Sequence, residues 1–135
     1  MATIEKFEDL QCWQRARELC RNVYEITKIG DFAKDYEMKG QIRAASGSIM
    51  DNIAEGFDRG GRDEFKQFLT IAKGSTGEVK SQLYRALDQK YITSERFEKM
   101  YDYAEIVSKQ VEALRNYLNN TDIKGRRYKK TPKPN

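Results

Sequence analysis

The chain has 135 residues and a mass of 15.8 kDa, which is enough for one domain with a single core and too little for two. Charged residues make up 34% of the sequence, histidine is absent, and the two cysteines are too few for a zinc site or a disulfide framework. Because histidine is the commonest general base and metal ligand, we expect no enzyme activity, no metal and no cofactor. The chain has no apolar run near ~18 residues and no signal-peptide pattern, so the sequence predicts a cytoplasmic protein without a membrane partner.

Apolar residues recur at steps of three and four in four blocks, which is the spacing of one face of an α-helix rather than the alternation of a strand. The blocks span residues 10–27, 38–53, 65–87 and 97–118. Short connections between helices of about 23–28 residues make neighbouring helices antiparallel, so the sequence predicts an all-α, up-down-up-down four-helix bundle. The predicted breaks are Gly30 and Asp31 after the first block, Gly56, Gly60 and Gly61 at the end of the second, and a cap at Thr93 and Ser94 before the fourth.

The centres of the second and third predicted helices are rich in small residues, including glycines that each weaken a helix by ~1 kcal/mol relative to alanine. With the fold point near Gly60, Ala45 lies opposite Ser75. The same register sets Ser48 opposite Ala72, so the two backbones can approach closely. Polar side chains near this seam, Gln41, Asn52, Glu55 and Glu78, are expected to satisfy one another as a buried network. The whole predicted seam comprises Gln41, Ala45, Ser48, Asn52, Glu55, Gly56, Ala72, Ser75 and Glu78.

Glu55 and Glu78 also allow a functional interpretation, as a paired-carboxylate site. A di-metal helix bundle needs more carboxylates together with histidine, so we favour a structural role for both side chains. The sequence therefore offers no catalytic or metal-binding candidates.

The stretch from Gln41 to Phe57, QIRAASGSIMDNIAEGF, resembles the signature of the four helix bundle protein family. That family includes proteins encoded by intervening sequences inserted in bacterial large-subunit ribosomal RNA genes. The resemblance covers about residues 7–118 and continues through the motifs EFKQFL and IAKGS of the third block. Gly47 and Thr76 depart from the family pattern, and the C-terminal tail lies outside the shared region.

The resemblance implies a fold, an assembly and a class of function. It implies a cyclic homo-oligomer, since family members form homopentameric rings of bundles. A related group serves as accessory proteins of diversity-generating retroelements, where a basic pentamer binds nucleic acid and a reverse transcriptase. No catalytic residues are carried over from the family.

Basic side chains near the predicted turn between the second and third helices are candidates for phosphate binding. Arg59 and Arg62 flank two glycines, and Lys66 and Lys73 follow, so positive charge lies at and beyond a helix N-terminus, where anions are favoured. A simpler interpretation is a solvated turn in which both arginines pair with the adjacent aspartates.

Arginines elsewhere in the bundle are more ambiguous. Arg43 lies inside the family motif and is either a phosphate contact or an interface ion-pair partner. In the first helix, acidic residues stand beside basic ones, so we interpret that face as mixed rather than basic; the basic residues are Arg15, Arg17 and Arg21, and the acidic ones Glu18 and Glu25.

Aromatic residues divide into two groups by their position on the helical stripes. Those on the stripes are expected in the core, whereas those at stripe edges either stack on bases or pack against another subunit. The first group comprises Trp13, Phe65, Phe68, Phe97 and Tyr101, and the second Tyr84, Tyr91, Tyr103 and Tyr117.

Most of the net charge of +4 comes from the C-terminus. Residues 119–135 carry six basic side chains and one acidic, or +5, whereas residues 1–118 carry 19 basic and 20 acidic, or −1. We therefore divide the chain into a four-helix bundle domain, residues 1–118, and a basic tail, residues 119–135, which is too polar to fold alone and is expected to be disordered. The tail either binds phosphates or only keeps the chain soluble. Its basic residues are Lys124, Arg126, Arg127, Lys129, Lys130 and Lys133.

Taken together, these features predict a non-enzymatic oligomeric accessory or scaffold protein that binds RNA or DNA through basic residues. Its expected partners are further copies of itself, RNA or DNA, and a nucleic-acid enzyme such as a reverse transcriptase. The alternative is an oligomeric protein–protein interaction module without nucleic-acid binding, which the near-neutral charge of the bundle allows.

Overall fold

The computed structural model describes residues 4–120, and this part of the chain is all-α and forms the predicted four-helix architecture, with no strand among the described residues. The helices pack in a closed order, because each contacts its neighbour in sequence and the first also contacts the fourth. Short 3-10 segments, Phe7–Asp9 and Gly30–Lys34, precede the first and second helices. The helices are α1 (Gln11–Ile26), α2 (Tyr36–Arg59), α3 (Arg62–Asp88) and α4 (Ser94–Asn119).

Local chemistry sets three of the helix ends. At the start of α2, Asp35 Oδ1 accepts a hydrogen bond from the Met38 amide at 3.0 Å. At the start of α4, Thr93 Oγ1 accepts from the Arg96 amide at 3.1 Å, which is the cap that the sequence predicts. Helix α2 ends at Gly60, whose φ of 86° lies in the left-handed region that glycine adopts without strain.

Gly56 does not end the second helix, contrary to the expectation from the sequence, because α2 continues past it to Arg59. The glycine is instead a contact point between α2 and α3. A Cβ placed on Gly56 would lie 2.6 Å from Phe68 Cβ and 3.0 Å from Phe65 Cδ1, closer than packed atoms approach. The two helices can therefore meet here only because Gly56 has no side chain.

Helix α1 is shorter than predicted, at 16 residues against an expected length of about 23–28. Its last turn closes at Thr27, whose hydroxyl donates to the Val23 carbonyl oxygen at 2.8 Å. Gly30 then takes a φ of 60°, and Phe32 in the following 3-10 segment is fully buried. The residues after α1 thus add an aromatic side chain to the core rather than a further helical turn.

Antiparallel packing brings the α2–α3 turn and the last residues of α4 to one end of the bundle, which we call the turn end. Its members include Arg59, Gly60, Arg62 and Asn119. A groove lined by residues of the first turns of α3 and by Arg115 of α4 confirms that these segments are neighbours. The basic tail is attached to the bundle at this end, since α4 ends at Asn119. Among residues 4–120, none of the helices is long and apolar enough to span a membrane.

Candidate nucleic-acid interface

The arginines of the turn end are engaged by carboxylates of the same chain. Arg59 Nη2 lies 3.0 Å from Glu55 Oε2, and Arg59 Nη1 lies 3.7 Å from Glu64 Oε2. Arg62 Nε lies 3.7 Å from Asp63 Oδ1. The predicted solvated, ion-paired turn is therefore what the structure shows, although Arg59 pairs with two glutamates rather than with the adjacent Asp58.

The two lysines predicted near the turn lie at different places along α3. Lys66 Nζ is 3.9 Å from Asp63 Oδ1, so it belongs to the turn end. Lys73 lies roughly 10 Å farther along the helix, given 1.5 Å per residue. Its ammonium donates to the Ser108 hydroxyl of α4 at 3.3 Å. The structure therefore does not bring Lys73 together with Arg59 and Arg62.

The basic residues of the predicted tail lie outside the part of the chain that the structure describes. Only Asn119 and Asn120 of that segment fall within the described part of the chain. The predicted phosphate-binding residues outside it are Lys124, Arg126, Arg127, Lys129, Lys130 and Lys133.

Arg43 contacts α1 of its own chain rather than a free surface. Its Nε donates to Thr27 Oγ1 at 2.9 Å, and its guanidinium carbon lies 4.3 Å from the centroid of the Tyr24 ring. No carboxylate of residues 4–120 lies within ion-pair distance of Arg43, so its charge is not neutralised locally. The cation is therefore held in a fixed position at the junction of α1 and α2.

A second basic surface, which the sequence analysis did not identify, lies beside Arg43. We call it the α1–α2 groove. It has a volume of about 310 Å³ and is lined by Arg17, Cys20, Arg21, Tyr24, Glu25, Lys28 and Met50. The signal in the sequence was the spacing of Arg17, Arg21 and Tyr24, because residues at i, i+4 and i+7 share one helical face.

Small and polar residues of α2 and α3 face each other as predicted, but the two helices pair in a different register. Ser75 Oγ donates to Ser48 Oγ at 3.0 Å, so Ser48 pairs with Ser75, three residues from the predicted partner Ala72. Asn52 Nδ2 completes the cluster by donating to the Ser48 carbonyl and hydroxyl oxygens at 2.8 and 2.9 Å. Ala45 and Ala72 are buried, which fits a close approach of the two helices.

The predicted buried network of four polar side chains is wrong for three of its members. Gln41, Glu55 and Glu78 are exposed, and only Asn52 reaches the seam. Glu55 pairs with Arg59, and Gln41 Oε1 accepts from Arg85 Nη1 at 3.0 Å. The charged side chains remain in water because burying an unpaired charge is costly. Residues 4–120 contain no cluster of three or more His, Cys, Asp or Glu that could hold a metal ion.

Buried and exposed aromatic residues follow the predicted division only in part. Phe65 and Phe97 are buried, whereas Trp13, Phe68 and Tyr101 are half-buried. Tyr84, predicted at a stripe edge, is 50% exposed and its ring centroid lies 4.8 Å from that of Phe97.

Lys80 flanks this aromatic cluster, with its Nζ 5.3 Å from the centroid of the Tyr101 ring. Its hydrogen bond to Glu105 at 2.6 Å raises the pKa of Lys80 and lowers the pKa of Glu105.

Tyr91 is fixed at the end of the bundle opposite the turn end. Its hydroxyl donates to Asp35 Oδ2 at 2.7 Å, and its ring stacks on Phe32 with centroids 5.0 Å apart. The hydrogen bond to Asp35 raises the pKa of Tyr91. The pKa of Asp35 is lowered, first by the hydrogen bond from the Met38 amide and then by that from Tyr91. Tyr91 therefore packs within the chain and is not a base-stacking candidate.

Comparison with known proteins places this arrangement in a family. The model of the 23S rRNA-intervening sequence protein family matches residues 8–113. Among solved structures, a protein of unknown function from the S23 ribosomal protein family of Bacteroides thetaiotaomicron VPI-5482 is similar, with 20% identity and a TM-score of 0.70, covering 78% of this chain and 95% of that one. At that identity the likeness shows the fold alone. No curated protein matches this chain at a significant level. Because the family model covers well over half of the sequence, the chain belongs to the 23S rRNA-intervening sequence protein family.

Proposed function

We propose that this protein is a non-enzymatic, oligomeric accessory or scaffold protein that binds RNA or DNA through basic residues. The observation that carries the proposal is the basic tail with a charge of +5, which is attached at the end of the bundle where Lys66 and the turn with Arg59 and Arg62 lie. The family name, which refers to a sequence within 23S rRNA, fits an RNA-related role.

Assembly would strengthen such binding. Large apolar side chains are exposed on several helices, including Tyr36 at 76%, Ile71 at 52% and Tyr84 at 50%, and burial of such side chains commonly drives association. In a ring of five copies, the arrangement that the resemblance implies, five tails of +5 would gather about 25 positive charges on one particle. Avidity then allows weak single-tail contacts to hold a nucleic acid.

The nucleic-acid enzyme that such a scaffold would assist is a reverse transcriptase, by resemblance to retroelement accessory proteins. A direct interaction would be detected by co-purification of a reverse transcriptase with the full chain after nuclease treatment. Loss of the complex on nuclease treatment would indicate that RNA or DNA alone connects the two proteins.

The experiment that tests nucleic-acid binding is a salt titration. Fluorescent single- and double-stranded RNA and DNA are titrated with the full chain and with a chain lacking residues 119–135. We expect binding that weakens steeply with salt, and a shallower slope after truncation, because each neutralised phosphate adds about 0.7–0.9 to the slope. Native mass spectrometry and thermal melting of both chains control for assembly and folding.

The second candidate is a protein–protein interaction module. It is favoured by the near-neutral charge of residues 1–118 and by the carboxylates that engage Arg59 and Arg62. Absence of binding to every probe at about 50 mM salt, where charge contacts are strongest, would reject nucleic-acid binding and favour this module.

A further inference from the structure

The α1–α2 groove combines three features that a single-stranded nucleic acid requires: cations for phosphates, an aromatic ring for a base, and a partly apolar floor. We propose that this groove binds single-stranded RNA or DNA, with Arg17, Arg21, Lys28 and Arg43 contacting phosphates and Tyr24 stacking on a base. The inference rests on the proposed function and assigns the contact to a surface away from the turn end.

Arg17 and Arg21 lie in a row along one face of α1. They are four residues apart, or about 6 Å along the axis, and Lys28 follows two residues after the helix ends at Ile26. Tyr24 stands between them, three residues from Arg21 and four from Lys28. All four line the same groove, so a strand that follows α1 would meet charge on both sides of the ring.

Arg43 of α2 lies beside this row, with its guanidinium carbon 4.3 Å from the centroid of the Tyr24 ring. Its hydrogen bond to Thr27 Oγ1 and its position over the Tyr24 ring fix both the guanidinium and the ring before any ligand binds. Thr27 is itself buried and held by its bond to the Val23 carbonyl. Because these groups are ordered in the free protein, binding would lose little side-chain entropy.

The balance of charge in the groove favours a polyanion. Three cations, Arg17, Arg21 and Lys28, and one carboxylate, Glu25, line the groove, and the Arg43 guanidinium lies over the Tyr24 ring beside it. Glu18 pairs with Arg21 at 3.0 Å, but both side chains are about half exposed, so a phosphate can compete for the guanidinium. No carboxylate of residues 4–120 lies within ion-pair distance of Arg17 or Lys28. The turn end differs, because there Arg59 has two carboxylate partners.

The floor of the groove favours a single strand over a duplex. Met50 and Cys20 line it, and Tyr24 is 40% exposed above them. Stacking on an aromatic ring requires an exposed base face, which a duplex buries within its own stack. The groove therefore offers a duplex only its charges, whereas it offers a single strand both charge and stacking.

Chemical footprinting at Cys20 tests the location. Cys20 lines the groove and is partly accessible, whereas Cys12 is 3% exposed and burial raises its pKa to about 12, so Cys12 serves as an internal control for unfolding. The rate of N-ethylmaleimide modification of the full chain is measured with and without a 12-nucleotide single-stranded RNA. We expect bound RNA to slow Cys20 modification about fivefold or more, as the site becomes covered.

Three outcomes would overturn the inference. An unchanged Cys20 rate, with RNA shown to be bound by fluorescence anisotropy, would leave the proposed function intact and move the contact to the turn end or the tail. Equal protection by poly-glutamate would show that the groove binds polyanions without regard to bases. Failure of the RNA to bind at all would overturn both the groove and the proposed function.

Substitutions in the full chain test the named residues independently. We expect Arg17→Glu with Arg21→Glu to weaken RNA binding more than tenfold, and Tyr24→Leu about tenfold, with Tyr24→Phe within about twofold of wild type because the ring is kept. The charge-matched control is Lys99→Glu with Lys109→Glu on α4, which lies outside the groove. Equal losses in the two double variants, or equal affinities of Tyr24→Leu and Tyr24→Phe, would overturn the assignment. Thermal melting confirms that each variant folds.

Discussion

The turn end and the α1–α2 groove are both rich in arginine, but the two regions hold their charges differently. At the turn, Arg59 lies within reach of Glu55 and Glu64, and Arg62 lies beside Asp63. Beside the groove, Arg43 is fixed by a hydroxyl and an aromatic ring instead of a carboxylate. A count of basic residues therefore overstates the charge available to a ligand wherever carboxylates of the same chain lie closer than the ligand would.

The largest expected difference between the two regions lies in how closely other side chains pack against the glycines of α2. Substituting Gly56→Ala at the turn end should lower the free energy of unfolding by about 1–3 kcal/mol or more, because the new Cβ would lie 2.6 Å from Phe68 Cβ. The measurement is urea unfolding followed by circular dichroism.

The matched control is Gly47→Ala, at a glycine one helical turn from both Arg43 and Met50. A Cβ placed there has nothing within 4 Å, so alanine should stabilise the helix by about 0.5–1 kcal/mol. Equal effects of the two substitutions would mean that α2 and α3 do not approach each other at Gly56 as the structure shows.

Charge reversal compares the two regions as binding surfaces. We expect Arg59→Glu with Arg62→Glu to weaken RNA binding only about threefold, since ion-paired surface charges contribute little. The groove variant Arg17→Glu with Arg21→Glu should lose more than tenfold, or about 1.4 kcal/mol. Fluorescence anisotropy at two salt concentrations provides the comparison, and a larger loss at the turn would reverse the ranking of the two regions.

The contacts that hold Arg43 in place should also contribute to the free energy of unfolding. Replacing Arg43→Ala removes the hydrogen bond to Thr27 and the contact with the Tyr24 ring, so the free energy of unfolding should fall by about 1 kcal/mol. The control is Arg21→Ala, whose exposed pair with Glu18 should cost about 0.5 kcal/mol or less. Indistinguishable urea midpoints would indicate that Arg43 is no better held than a surface arginine.

Asp35 and Tyr91, at the end of the bundle opposite the turn end, should give the stability of the fold a small pH dependence. Neither residue belongs to the turn end or to the α1–α2 groove. The pKa of Asp35 is lowered from 3.8, so its contribution to stability is present above about pH 3.8 and is lost as pH falls through the lower folded value. The pKa of Tyr91 is raised from 10.0, so its contribution is present below pH 10.0 and is lost as pH rises through the higher folded value. Tyr91→Phe should remove the alkaline loss, which urea unfolding between pH 9 and pH 11 would detect, and RNA binding at neutral pH should be unchanged.

Much of the fold could be predicted from the sequence because local rules suffice for it. Apolar steps of three and four place four helices, and Thr93 caps the last of them as expected. The length of α1 could not be predicted in the same way. The helix ends where it does because Phe32 enters the core from a separate segment after Gly30. That packing depends on tertiary contacts rather than on the local sequence.

The candidate site was predicted only where residues are close in the chain. The turn with Arg59, Arg62 and Lys66 was found because its charges are sequence neighbours. The α1–α2 groove was missed because Glu18 and Glu25 are interleaved with Arg17 and Arg21 in sequence, although only Glu25 of the two glutamates lines the groove.

By itself, then, the sequence determined four amphipathic helices, their antiparallel order, their family and the concentration of positive charge in the C-terminal segment. The tertiary structure alone decided the Ser48–Ser75 register, the role of Gly56 and the meeting of Arg43 with Tyr24. The physical reason is the distance along the chain between the residues that interact. Helix formation and charge density follow from residues within a few positions of one another, whereas register and burial depend on how the surfaces of separate helices fit, and that fit is settled only when the side chains pack.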